Sequence, residues 1–250
     1  MRFEEKLKEK FLYSKDKNIF KNIYFFLQNF KKIKHKQVSY SGGGIDLIIG
    51  HYFRDKKKGV YIDVGAYHPI TGSNTYKLFS KGWTGINIDL DFHTIDMFKN
   101  FRPNDENIVS AVSNVVAEKE LYFHHNRSAI NTLEKNKGQR SKEVKKIQTN
   151  TLNNIIENSK FKNLDIDFIS IDVEGHEIEV IKGLDLKKYS PKIIVIEYQD
   201  LDMKKEEFFN QNIERICNST IYKHMTFNNY ALVNWLHSDL VFINKELQDK

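Results

Sequence analysis

The chain has 250 residues, and its 40% apolar and 13% aromatic content predicts one sizeable core; with only 3 prolines and 12 glycines it is not a disordered or low-complexity chain. Its one cysteine, Cys217, excludes an intramolecular disulfide and favours a reducing, cytoplasmic compartment. The net charge of +6 is uneven: residues 1–58 hold 15 Lys/Arg against 6 Asp/Glu, whereas residues 59–250 are net acidic, which disfavours nucleic acid as a partner of the larger part.

Residues 1–58 are predicted to form a basic N-terminal segment that is helical over residues 1–36 and contains a glycine-rich hinge at residues 41–44. Apolar residues recur there at a spacing of three to four, with lysines on the other face: Ile19, Ile23, Phe26, Phe30 and Ile33. Such a stripe docks on the body of the protein, on a second copy in a homodimer, or peripherally on an anionic membrane or glycolipid. No apolar run reaches the roughly 20 residues of a membrane span, and the charged start does not resemble a signal peptide.

From residue 59 onwards, short apolar runs alternate with helical patterns, which predicts an α/β domain with helices on both faces of a mostly parallel sheet. The predicted parallel strands are Val60–Val64, Gly85–Asp89, Ile108–Val112, Ile166–Asp172 and Lys192–Glu197. The predicted helices are Asn74–Lys81, His93–Asn100, Thr151–Asn158, His176–Leu184 and Lys204–Cys217. Two further runs, Tyr230–Trp235 and Leu240–Asn244, predict a closing antiparallel hairpin and a total of seven strands.

Residues 119–150 interrupt this alternation and are predicted to be an insert. Leu121–Phe123 reads as an extra strand, and Asn126–Arg140 is polar and carries Ser128, Asn131 and Thr132. The insert is interpreted as a lid or substrate loop, with a disordered connection as the alternative.

The first predicted strand ends in Asp63-Val64-Gly65, where open α/β sheets bind their ligands. Gly65 permits a close backbone approach or a positive φ. A carboxylate at Asp63 repels pyrophosphate but suits a cationic ligand with ribose hydroxyls, a description that S-adenosylmethionine fits. The alternative role for Asp63 is to cap the next helix.

Asp89, 26 residues later at the end of the second strand, is placed to accept both ribose hydroxyls, with Asp91 as the nearby competitor. An NAD site would use the same acid. The G-x-G-x-x-G motif of such sites is missing, because Tyr67 and His68 follow Gly65-Ala66. The missing motif counts against NAD, whereas the acid at Asp89 suits either cofactor. An NAD(P)-dependent oxidoreductase is therefore kept as the alternative.

The strand in IDFISIDVEG delivers Asp172, Glu174 and His176 to the same edge of the sheet. Like charges this close raise each other's pKa, which is typical of functional sites, although a solvated acidic helix start is the plainer alternative. Asp172 and Glu197, at the ends of neighbouring strands, are candidate oxygen ligands for a divalent cation such as Mg²⁺; a hydrogen-bonded pair, or a site that orients a basic group of the substrate, is the alternative.

The blocks VYIDVGAYHPITGSNTYKLFSKGWTGINIDLD, IDFISIDVEGHEIEVIKGLD and PKIIVIEY resemble the FkbM family of S-adenosylmethionine-dependent methyltransferases over about residues 59–200. The resemblance implies the class I Rossmann-like fold. By position it implies contacts of Asp63, Gly65 and Ala66 with the methionine part, Asn74 and Thr75 at the first helix start, Asp89 with the ribose, Ala111, Val112 and Ser113 with the adenine, and Asp172, Glu174 and His176 with the acceptor. Many relatives have Glu-Pro where this chain has Asp89-Leu90, and the shorter acid shifts the ribose contact.

The resemblance further implies O-methylation of a hydroxyl in a small-molecule or glycan acceptor, such as a sugar or glycolipid. Asp172 or His176 is then expected to take the hydroxyl proton. Besides the oxidoreductase, a cofactor-binding module without turnover stays open; such a module has no need of the acidic cluster around Asp172.

Overall fold

The computed structural model describes residues 37–198 and 212–247, together with helical positions Ile19, Lys21, Asn22, Phe25, Phe26, Leu27 and Asn29. The chain divides into two compact units, residues 1–38 and 39–250. The predicted stripe residues Ile23, Phe30 and Ile33 lie outside the described residues, as does the 204–211 part of a predicted helix. Within the described residues, no helix is both long enough and apolar enough to cross a bilayer.

The second unit alternates helices and strands. The helices are α1 (Ile45–Tyr52), α2 (Tyr76–Phe79), α3 (Phe92–Phe101), α4 (Leu152–Glu157), α5 (Glu177–Lys182), α6 (Leu186–Tyr189), α7 (Ile213–Asn218) and α8 (Thr220–Phe227). The strands are β1 (Val60–Val64), β2 (Thr84–Asp89), β3 (Glu106–Val109), β4 (Ala111–Val112), β5 (Glu118–Phe123), β6 (Glu143–Asn150), β7 (Phe168–Ile171), β8 (Ile193–Glu197), β9 (Tyr230–Leu236) and β10 (Asp239–Asn244). Two 3₁₀ turns, Gly138–Arg140 and Lys245–Leu247, complete the elements.

The main sheet has seven strands in the order β3-β2-β1-β7-β8-β10-β9. The first five are parallel, β10 pairs antiparallel with β8, and β9 pairs antiparallel with β10 at the edge. The predicted mostly parallel α/β sheet is confirmed. Its terminal hairpin turns through His237-Ser238, with His237 at a positive φ of 58°.

The third predicted strand, Ile108–Val112, is wrong as one continuous strand. β3 ends at Val109, and β4 leaves the main sheet to pair with β6 in a three-stranded sheet of order β4-β6-β5. The predicted insert therefore supplies two strands, and a backbone bridge between Tyr122 and Thr132 joins the loop that follows β5 to it. This segment is folded, which is not the disordered connection considered as an alternative.

Apolar side chains cover both faces of the main sheet, as predicted. On one face, Ile62, Ile86 and Ile194 lie in a buried cluster that includes residues of α4, α5 and α8. On the other face, Tyr61, Phe168 and Val241 share a cluster with Trp83 and with Ile45 and Ile49 of α1. The packed domain thus includes α1, which lies before the boundary predicted at residue 58.

The predicted hinge at residues 41–44 is tied to the start of α1 by Asp46, which is 1% exposed. Its carboxylate accepts hydrogen bonds from the Ser39 hydroxyl at 2.6 Å, the Tyr40 N–H at 2.8 Å and the Ser41 hydroxyl at 3.0 Å. These bonds join residues 39–41 to the start of α1 within the second unit.

Arg102, at the end of α3, is wholly buried behind the sheet edge that carries the β1–α2 loop. Its guanidinium donates to the Pro69 carbonyl at 2.5 Å, the Thr75 hydroxyl at 2.8 Å, the Ser73 hydroxyl at 3.0 Å and the Asn87 side-chain oxygen at 3.2 Å. A buried cation is tolerated only when it is hydrogen-bonded and compensated. Arg102 therefore fixes residues 69–75, and nearby carboxylates balance its charge, as described below.

Replacing Arg102 by Lys should lower the free energy of unfolding by about 2–4 kcal/mol, because an ammonium offers three donors and cannot reproduce a planar fork of five. Urea unfolding of the full chain measures this value. Arg54→Lys is the matched control, since the Arg54 side chain is 64% exposed and makes surface contacts with Asp55 and His51. Equal stability of the two variants would contradict the assigned role of Arg102.

Candidate functional site

A cleft of about 910 Å³, its open mouth included, lies at the carboxyl ends of β1, β2, β4 and β7. The lining residues come from the strand ends and from the segment after β5: Val64, Gly65, Tyr67, Gly72, Ile88, Asp89, Leu90, Asp91, Thr94, Ser110, Ala111, Val112, Arg127, Ser128, Ala129, Asn131, Thr132, Leu133, Asp172, Val173, Glu174 and His176.

The turn after β1 needs glycine at Gly65. Its φ is +78°, and a Cβ there would lie 1.7 Å from the carbonyl oxygen of Asp172. The N–H groups of Gly65 and Ala66 both donate to the Ile88 carbonyl, at 2.9 and 3.1 Å. The turn is thereby bound to the end of β2 and to the end of β7, and Ala66 is buried beneath the cleft.

Asp89 faces the cleft with a carboxylate whose position the backbone fixes. One oxygen accepts the Tyr67 N–H at 3.0 Å, and the other accepts the Asp91 N–H at 2.8 Å. Loss of hydration raises its pKa to about 6, although both of these hydrogen bonds act in the opposite direction. Each oxygen keeps a further lone pair for a ligand hydroxyl.

Asp91 is the weaker candidate for the same ligand contact. One of its oxygens caps α3 by accepting the N–H groups of His93 and Thr94, at 2.8 and 3.2 Å. The other accepts the Arg127 N–H at 2.7 Å. Because both oxygens bind backbone and the residue is 8% exposed, Asp91 serves the fold more than a ligand.

Asp63, Asn74 and Thr75 lie behind the cleft and are not among its lining residues. The Thr75 hydroxyl donates to Asp63 at 2.5 Å, and the Asn74 amide donates to the Ser170 hydroxyl at 3.0 Å. Burial raises the pKa of Asp63 to about 6, against the effects of Thr75 and Arg102. Asp63 therefore supports the wall of the site from behind and does not cap α2.

The loop after β7 holds the acidic group in a strained conformation. Glu174 has a φ of +58° and Gly175 a φ of +104°, and a non-glycine residue in this region costs about 1–3 kcal/mol. The buried Glu177 carboxylate accepts the N–H groups of Val173 and Gly175, at 3.1 and 2.8 Å. These contacts present Asp172 and Glu174 to the cleft.

Asp172 is open to the cleft, yet the cleft walls exclude much of its hydration. This desolvation, together with the charges of Glu197 and Glu174 and a hydrogen bond with Glu197, raises the pKa of Asp172 well above its usual range. One carboxylate oxygen each of Asp172, Glu177 and Glu197 lies within 4.8 Å of the other two. Asp172 and Glu197 form a hydrogen-bonded pair, which was the alternative to a metal site, and the predicted divalent cation stays a prediction.

His176 and Ser113 are buried, at 3% and 0% exposure, although His176 is one of the residues that line the cleft. The ring nitrogen Nε2 lies 2.9 Å from the Ser113 hydroxyl, and Nδ1 lies 2.5 Å from the Glu134 carboxylate. Because both ring nitrogens form hydrogen bonds, His176 joins the segment that contains Ser113 to the segment that contains Glu134.

The structure thus brings seven of the residues predicted for the site to the cleft: Gly65, Asp89, Ala111, Val112, Asp172, Glu174 and His176. Asp63, Ala66, Asn74, Thr75, Ser113 and Glu197 lie behind them. Three further residues at or beneath the site were not predicted from the sequence: Arg127, Glu134 and the buried Arg102. The polar residues Ser128, Asn131 and Thr132 indicated that the segment after β5 lines the cleft, but no sequence pattern indicated Glu134.

Residues 63–227 match the family model described as the methyltransferase FkbM domain, a span of about two thirds of the chain. The match reaches beyond the region of resemblance, which ended near residue 200, and includes α8. No curated protein sequence gives a significant match.

The free energy of unfolding of Asp63→Asn, taken relative to that of wild type, should rise as pH rises from about 4 to about 7. A raised folded-state pKa means that the folded protein holds this proton more tightly than the unfolded chain, so wild-type stability falls as pH rises through about 6. The shift from 3.8 to about 6 corresponds to roughly 3 kcal/mol. Chemical unfolding at several pH values measures it, with exposed Asp96→Asn as control. A pH-independent difference between Asp63→Asn and wild type would contradict the ionisation of Asp63 in the folded state.

Proposed function

The chain belongs to the FkbM methyltransferase family, and we propose that it moves a methyl group from S-adenosylmethionine to a hydroxyl of a sugar, glycan or glycolipid. The observation that carries the proposal is Asp89, an ionisable carboxylate fixed by two backbone N–H groups at the cleft edge where the second strand of such sheets binds ribose.

The chemistry of the cleft fits this cofactor. Asp89, Asp172 and Glu174 give the lining an acidic character that complements a sulfonium and an ammonium group. Ala111, Val112 and Leu133 add an apolar surface suited to the adenine ring. When bound, the cofactor supplies a methyl group that its sulfonium already activates.

Asp172 is the residue we propose to take the proton of the acceptor hydroxyl. It is open to the cleft, and a carboxylate with a raised pKa is a stronger base once it is ionised. The charge of Glu197 and its hydrogen bond with Asp172 help to raise the pKa of Asp172. Glu174 borders the same space, whereas His176 is committed to Ser113 and Glu134 and supports the wall.

The two alternatives are weaker on this site. An NAD(P)-dependent oxidoreductase needs a phosphate-binding turn, yet Tyr67 occupies that turn at a φ of 50° and the neighbouring lining is acidic. A binding module without turnover has no use for the strained loop that presents Asp172.

Calorimetry with S-adenosylhomocysteine tests the cofactor. We expect binding that weakens as pH falls through about 6, because the protonated Asp89 is a poorer acceptor for ribose hydroxyls. Asp89→Asn should weaken binding roughly 10- to 100-fold and remove this pH dependence. Asp96→Asn is the control. Binding of NAD(P) in place of S-adenosylhomocysteine would refute the proposal.

Transfer of a labelled methyl group from S-adenosylmethionine to a panel of glycans and glycolipids tests the acceptor side. Asp172→Asn should lower turnover by about 10²–10⁴-fold while S-adenosylhomocysteine binding is retained. Full turnover in this variant would show that Asp172 is not the general base. Repeating the assay with Mg²⁺ and with a chelator tests whether turnover requires the predicted divalent cation.

For the N-terminal segment we propose a peripheral contact with an anionic lipid surface. Ile19, Phe26 and Leu27 share one side of the helix by their spacing and are 69%, 67% and 53% exposed. Residues 17–36 contain six lysines and no acidic residue. Exposed aromatic and aliphatic groups among lysines match the boundary between headgroups and acyl chains.

Sedimentation with vesicles of phosphatidylglycerol or phosphatidylcholine tests this contact. Phe26→Asp should weaken binding to the anionic vesicles more than Asn22→Asp does. Both changes add one negative charge to the helix, but only the first removes apolar area. Equal loss in the two variants, or a concentration-dependent dimer that Phe26→Asp dissociates, would instead support the docking of a second copy.

A further inference from the structure

Residues 127–133, called here the cleft wall, line one side of the cleft and are held at both ends. At the first end, the Arg127 N–H donates to Asp91 at 2.7 Å. The buried Asn131 side chain closes the loop between these ends, because it accepts the His124 N–H at 2.8 Å and donates to the His125 carbonyl at 3.0 Å. The first end is therefore attached to the strand end that carries Asp89.

The second end is attached to the acidic loop after β7. The Thr132 hydroxyl donates to the Glu174 carbonyl at 2.8 Å, and the Lys137 ammonium lies 3.7 Å from the Glu174 carboxylate. Glu134 then reaches His176 at 2.5 Å, and the hydrogen bond to His176 lowers the pKa of Glu134. These contacts fall next to the strained backbone of Glu174.

The order Glu134–His176–Ser113 is that of a nucleophile triad, but the exposures exclude that use. Ser113 is wholly buried, so no substrate can reach its hydroxyl. An ionised Glu134 accepts only, so Nδ1 of His176 carries the proton, and in the neutral ring Nε2 accepts from Ser113. The chain of hydrogen bonds links the cleft wall, the loop after β7 and the end of β4.

We propose that Glu134 is a positioning residue that, through His176, holds the cleft wall in the geometry that binds the cofactor. The proposal rests on the proposed function, because the bound ligand is taken to be S-adenosylmethionine. Glu134 is not among the residues that line the cleft, whereas its partner His176 is, so Glu134 acts through His176. Its effect is to add a charge-assisted hydrogen bond to the second end of the wall, beside the contacts that Thr132 and Lys137 make with Glu174.

The test combines calorimetry with S-adenosylhomocysteine and amide hydrogen exchange of the full chain. Glu134→Ala should weaken binding about tenfold and speed exchange at residues 127–137, because the second end loses a charge-assisted hydrogen bond. Glu134→Gln should restore most of both, since its amide oxygen also accepts from Nδ1. Glu118→Ala is the control, because it removes an exposed ion pair with Lys146 on the same small sheet.

Wild-type exchange and binding in Glu134→Ala would overturn the inference, and so would a Glu134→Gln variant as impaired as Glu134→Ala. Failure of the wild type to bind S-adenosylhomocysteine would overturn the proposed function alone. In that case, hydrogen exchange in the two Glu134 variants still decides whether this residue orders the wall.

Discussion

The buried guanidinium of Arg102 is the interaction on which the rest of the site depends. It holds the β1–α2 loop through Pro69, Ser73 and Thr75. Thr75 in turn donates to Asp63. The cation thus needs anions beside it, and these anions need the cation, since neither tolerates burial alone. The floor beneath the first turn is set by charge compensation as much as by apolar packing.

The same constraint explains why the carboxyl groups of the site divide into two kinds. The Thr75 hydroxyl binds Asp63, and backbone N–H groups bind both oxygens of Asp91, so these two carboxyl groups shape the scaffold. Burial raises the pKa of Asp63, Asp89 and Asp172 alike, but of these three only Asp89 and Asp172 line the cleft. A cationic ligand would stabilise the ionised forms of Asp89 and Asp172, which links the electrostatics of the cleft to the charge of the molecule proposed to bind there.

The sheet and most strand ends were predictable because buried parallel strands leave continuous apolar runs, as in β1 and β8. Asp89 was predictable because its position follows from where β2 ends. Asp63 was placed on the correct strand, but the sequence does not show that it lies behind the cleft, where the Thr75 hydroxyl donates to it. Glu134 was not predictable: its partner lies 42 residues away, and no periodic pattern marks a loop residue.

The kink from β3 into β4 was missed for a related reason. Ile108–Val112 reads as a single apolar strand, and only the pairing of Ala111 with Thr149 on β6 draws the chain out of the main sheet. Local propensity describes a segment alone, whereas the neighbours that a segment finds decide its sheet.

Gly65 packs against the Asp172 carbonyl so closely that no other side chain fits. The backbone after β1 and the backbone after β7 are therefore in van der Waals contact at the cleft, and neither can shift without the other. In evolution or in engineering, new acceptors are more readily accommodated by exchanging the segment after β5 than by remodelling either strand end.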